Sequence, residues 1–94
     1  MLGSPNVIRN SAMVHDLVEL RRAWADAYAD RCTAIARLLD AKTKYACALL
    51  SKNGHREVLG AEVTRLESDV AKAIEADNQA RALLRRAEEE FFGP

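Results

Sequence analysis

The chain has 94 residues, with 14 Lys plus Arg against 14 Asp plus Glu and a formal net charge of zero. That length holds one small domain, and the charge balance removes the electrostatic case for nucleic acid as a partner. No apolar run reaches the roughly 18 residues of a membrane span, and Met1 to Pro5 lack the basic-then-apolar order of a signal peptide.

Hydrophobic residues make up 49% of the chain, but alanine supplies a large share of them. Few large apolar side chains remain to fill a core, and a chain this small buries a core only marginally. Part of its apolar surface is therefore expected to lie against another chain. Cys32 and Cys47 are 15 residues apart. On one helix that is about 22 Å, against the roughly 7 Å limit for bridged Cα atoms. They cannot pair within one chain, and they read as small buried or half-buried fillers in a reducing, cytoplasmic setting.

Residues 1–10, with Gly3-Ser4-Pro5, read as a disordered lead-in or a cloning scar. A helix is expected from about Ser11 to Ser51, with Asn10 or Ser11 as its N-cap. Between residues 6 and 92 there is no proline. The turn signal is Ser51-Lys52-Asn53-Gly54, because Asn and Gly tolerate the left-handed conformation that ends a helix. The turn is placed at 52–54. A second helix is expected over about 55–92, closed by Gly93-Pro94. Gly60 either delays the start of that helix or lets the other arm approach closely.

Apolar residues recur at seven-residue spacing in both arms. Leu17, Trp24, Leu38 and Tyr45 form one series, interrupted by Arg31. Leu20, Ala27, Ala34, Ala41 and Ala48 form the next. In the second arm the series are Leu59, Leu66, Ala73, Ala80, Ala87 and Val63, Val70, Asp77, Leu84, Phe91. Five heptads per arm predict a coiled coil, and the short turn makes it antiparallel. The fold class is all-α, a long antiparallel helical hairpin. Tyr28, Ile35, Leu49, Ile74 and Leu83 widen the stripe beyond two positions per heptad. Such width predicts dimerisation into a four-helix bundle. The expected core and dimer interface is Leu17, Leu20, Trp24, Tyr28, Ile35, Leu38, Tyr45, Leu49, Leu66, Val70, Leu84 and Phe91, and the partner is a second copy or another helical chain.

No catalytic, cofactor-binding or metal-ligating constellation is legible. His15 and His55 fall at opposite ends of the first arm, and no Cys or His pair has ligand spacing. Most carboxylates have Lys or Arg three or four residues away, as in solvated helix pairs. Neither a phosphate loop nor a nucleophile elbow is present. The expectation is a non-enzymatic protein without cofactors. Arg31 and Asp77 are the exceptions in the seam. They lie equally far from the turn, so an antiparallel hairpin brings them to one level. They either form a buried ion pair that fixes register or reach the surface independently. From Ala41 to Arg56 the chain carries Lys42, Lys44, Lys52 and Arg56 and no acid. That makes a basic tip, attractive to anionic lipid. The alternative is that cations complement the C-terminus of the first arm.

The run Val18 to Arg31, in which small and apolar residues lead to an aromatic, then to an acid and arginine, resembles a segment of the BAR domains of endosomal sorting nexins, the retromer-associated group. Leu59 to Phe91, a heptad stretch ending on Glu and Phe, is similar to that family's third helix. Leu17 to Phe92 together look like the distal halves of its second and third helices. The resemblance implies a fragment of a three-helix protomer whose dimer senses or shapes membrane tubules in endosomal protein transport. It implies a peripheral place on endosomal membranes, with Lys42, Lys44, Lys52 and Arg56 facing the anionic membrane. Two other functions fit the residues: a coiled-coil scaffold or cytoskeletal assembly subunit without membrane binding, and an adaptor that takes a partner's amphipathic helix.

Overall fold

The computed structural model describes residues 5–52 and 54–93, with side chains from Ala12 onward. It contains two α-helices, α1 (Pro5–Leu50) and α2 (Arg56–Phe92), packed as an antiparallel hairpin. Among the described residues there is no strand. The hairpin measures 77 × 22 × 13 Å, with a radius of gyration of 21.3 Å. A compact domain of this length would have a radius near 12 Å. The molecule is a rod.

The first helix begins at Pro5, not near Ser11. Proline suits the first helical position, where its missing N–H has no intrahelical acceptor to lose. Asn10 and Ser11 thus lie inside α1, and residues 1–4 lie outside the described residues. At the other end, Ser51 N–H and Ser51 Oγ both donate to Cys47 O, at 3.0 and 2.9 Å. The chain then reverses through Lys52, whose φ of 54° is left-handed. Gly54 does not adopt that conformation, and Asn53 lies outside the described residues. The second helix starts when Leu59 N–H donates to His55 O at 3.0 Å, and Glu57 in its first turn complements the macrodipole. It ends at Gly93, whose φ of 80° favours glycine and whose N–H donates to Glu89 O at 2.9 Å.

Gly60 sits within α2 because the other arm passes close by. A Cβ there would stand 3.2 Å from the Tyr45 ring. The helix-propensity cost of glycine, about 1 kcal/mol, is set against that close approach.

The two arms meet along the two heptad series of each. Arg31 faces Asp77, and Ala41 packs with Val63 and Leu66, with Leu38 and Tyr45 against them. In this register facing residue numbers sum to about 108. The layers then alternate in size. Leu17/Phe91, Trp24/Leu84, Leu38/Val70 and Tyr45/Val63 are large. Leu20/Ala87, Ala27/Ala80, Ala34/Ala73, Ala41/Leu66 and Ala48/Leu59 each hold at least one alanine. Small residues in alternate layers let the axes approach while the larger ones interlock. Leu17, Ala41, Ala48, Val63, Leu66 and Leu84 are buried.

Candidate interaction surface

The seam is only two residues wide per heptad. Leu20, Trp24, Leu38, Tyr45, Val70 and Phe91 line it half-buried. Tyr28 and Leu49 stand outside it, 50% and 45% exposed, as does Leu83 at 53%. Ile35 and Ile74 are half-buried at its edge, whereas Cys32 and Cys47 are exposed and not buried fillers, because both fall on helix positions outside the seam. Within one hairpin, therefore, the broad stripe expected from the sequence divides into a covered seam and an uncovered remainder.

Opposite charges line both edges of the seam. On one edge Arg21 bonds Glu88 at 3.2 Å, and the same register places Lys42 opposite Glu67. On the other edge it places Arg37 opposite Asp69 and Lys44 opposite Glu62. Arg65 bridges Glu62 and Asp69 on its own helix, and Lys44 bonds Asp40 at 3.0 Å. The hydrogen-bonded Arg65 guanidinium holds the Glu62 carboxyl below its ordinary value. This charged edge is satisfied from within the chain, so a charged ligand would have to compete with those bonds.

Among the described residues the seam has one polar layer, Arg31/Asp77. Asp77 is fully buried and accepts on Oδ2 from Arg31 at 2.8 Å and from Arg81 at 3.2 Å. Arg81 also lies 5.8 Å from the Trp24 ring centroid, within cation–π range. The structure thus brings together the two charges that interrupt the heptads, and it adds Arg81, which periodicity alone does not single out.

The basic residues of the tip do not form one patch. Lys42 and Lys44 are two residues apart, about 200° around the helix, so they flank opposite edges of the seam. Lys44 is engaged with Asp40. Lys52 and Arg56 lie on either side of the turn, exposed. His15 and His55 remain far apart in the chain, and among the described residues no group of His, Cys, Asp or Glu is placed to hold a metal. No described helix is long and apolar enough to cross a membrane.

A second apolar series runs along the outside of α1. Val14, Val18, Tyr28, Leu39 and Leu49 are each 45–60% exposed. With Ala25, Cys32, Ile35 and Ala46 they recur at alternating steps of three and four, interrupted only by Arg21 and Lys42. This is the same spacing as the seam, rotated by about 100° around the helix. Every carboxylate of α1 (Asp16, Glu19, Asp26, Asp30, Asp40) lies away from it, on two of the three remaining positions of the heptad. The signal was present in the sequence as the seven-residue series Val18, Ala25, Cys32, Leu39, Ala46. It is faint because alanine and cysteine carry little hydrophobic weight.

No family model matches the chain, and neither a curated protein nor a solved structure matches it.

Proposed function

We propose that this chain is a non-enzymatic assembly module that self-associates through the outer face of α1. The observation that supports this most is the second heptad series: five large, exposed apolar side chains at coiled-coil spacing on a helix whose other seam is already filled. Scattered exposed apolar residues need no explanation, but a continuous stripe marks an interaction surface. Light scattering on the purified chain is expected to give twice the 10.4 kDa chain mass at micromolar concentration. A monomer at that concentration, with a sharp thermal transition, would exclude self-association as its role.

The tip supports a second reading, membrane association in the manner of the sorting-nexin BAR domains it resembles. Residues 41–56 hold four Lys and Arg and no acid, and each cation near an anionic surface contributes about 1 kcal/mol. Because Lys42 and Lys44 point to opposite edges, the tip can meet lipid only end-on. The assembly role predicts that the chain stays in the supernatant when spun with phosphatidylserine liposomes, even at low salt. Pelleting at low salt that is lost when Lys42, Lys44, Lys52 and Arg56 are all changed to Glu would favour the membrane role instead.

A further inference from the structure

We infer that the outer face of α1 receives α1 of a second copy, antiparallel, about a two-fold axis that passes beside Cys32. This rests on the self-association proposed above and specifies its face, direction and register.

The stripe is nearly symmetric about its own middle. It runs from Val14 to Leu49, and its central member is Cys32. Reversing the helix about that point brings Val14 over Leu49 of the second copy, Val18 over Ala46, Ala25 over Leu39 and Tyr28 over Ile35, with Cys32 over itself. Large layers then alternate with layers that each contain Ala or Cys. The intramolecular seam has the same alternation, with an alanine in every second layer. The parallel arrangement lacks this fit. It would set Leu39 on Leu39, Tyr28 on Tyr28 and Arg21 on Arg21, leaving oversize layers beside undersize ones. An isologous two-fold contact requires a surface complementary to itself, and only the reversed pairing provides one.

Charge permits the same arrangement. Reversal places Arg21 near Lys42 of the second copy, which would repel if both were bare. Arg21 is already bonded to Glu88 of its own chain at 3.2 Å, and Lys42 stands opposite its own Glu67. Each layer therefore carries its own counter-charge. The carboxylates of α1 all lie off the face, so none is desolvated by the contact.

The extent of the contact is adequate. Val14 to Leu49 spans about 53 Å of helix. A strip of that length and about 10 Å width covers roughly 500 Å² on each copy, or about 1,000 Å² in total, which is the lower bound for a specific interface. The two-fold adds more. An axis perpendicular to an antiparallel α1 pair leaves both α2 arms on the same side of that pair. Four helices then occupy the corners of a square, and the seam edge bearing Ile35 and Ile74 turns toward the centre, carrying with it the Arg21–Glu88 pair and the Lys42/Glu67 layer as opposite-charge layers of that same edge.

Cys32 reports this geometry directly. Across the two-fold, in a small layer, its Cα atoms fall within the range that a disulfide bridges. Cys47 lies on the polar side of α1 and meets no symmetry mate. The test is oxidation of two single-cysteine chains with copper phenanthroline under air. Two thiols form one S–S bond, and the two electrons and two protons pass to the oxidant. The Cys47→Ser chain is expected to become a covalent dimer nearly quantitatively at low micromolar concentration, with unchanged helicity. The Cys32→Ser chain is expected to stay at least tenfold behind in rate. A dimer by light scattering in which Cys32 remains reduced, or in which Cys47 bridges as fast, would overturn the inference and leave self-association standing. A monomer by light scattering would overturn both.

Discussion

Replacing Arg31 with leucine is expected to cost about 3 kcal/mol of unfolding free energy, clearly more than replacing Asp77 with leucine. The asymmetry follows from burial. Asp77 has no exposed surface, whereas Arg31 keeps 33% of its side-chain surface in water. Without Arg31, a fully buried carboxylate loses its shortest bond and depends on Arg81 alone, whose guanidinium is also held near Trp24. Asp77 Oδ1 has no hydrogen-bond partner among the described residues, so the site has no spare donor to compensate. Without Asp77, Arg31 can extend its guanidinium into solvent along its own aliphatic stem. Leucine at both positions joins the neighbouring layers in one apolar seam. That double variant is expected to be as stable as the parent or more so, because two charges no longer need desolvation. Urea titrations of the four chains measure this. Equal, near-zero losses for the single variants would show that the two charges act independently and that their contact contributes nothing.

The sequence makes the seam legible because a two-position heptad maps directly onto facing layers. The turn is legible to within a few residues. The conformation at the turn is less so. Asn and Gly permit a left-handed residue, but permission does not select a position. The helix closes on the bonds from Ser51 to Cys47, and the next residue, Lys52, takes the positive φ. Pro5 misleads for a related reason: proline breaks a helix in its interior but begins one at its first turn. The outer face of α1 is the hardest feature to read. Tyr28, Ile35 and Leu49 look like the margin of one broad stripe until the seam's phase is known. Once α2 covers one side, those residues prove to share a second stripe with Val14, Val18 and Leu39. Which apolar positions a helix offers to its own chain, and which to another, depends on where the chain turns back. That is a tertiary fact, absent from periodicity alone.

Leu66→Ala and Leu39→Ala separate those two faces by their energetics. Leu66 is 6% exposed and packs against Ala41, Val63, Leu38 and Tyr45. The residue facing it is an alanine, which cannot move in to fill the space. Truncation is therefore expected near the upper part of the Leu→Ala range, about 4 kcal/mol. A chain of this size has only about 5–14 kcal/mol in all, so the variant should lose a large part of its stability and melt well below the parent at every protein concentration. Leu39 is 60% exposed in the single hairpin. If nothing covered it, its loss would fall within about 0.5 kcal/mol of zero. In the antiparallel pairing it stands over Ala25 of the second copy, and its truncation should cost about 2 kcal/mol per chain. That loss falls on the dimer alone. The parent's melting temperature should therefore rise with protein concentration, and Leu39→Ala should weaken that rise by shifting the dissociation constant, since binding stabilises the folded chain by mass action. Circular-dichroism melts of the three chains over a hundredfold concentration range distinguish the cases. A parent whose midpoint does not move, together with a silent Leu39→Ala, would mean that α1 keeps its outer face in water. A moving midpoint that Leu39→Ala flattens places a second helix there, because a side chain 60% exposed within its own hairpin can change the concentration dependence of a melt only through another chain.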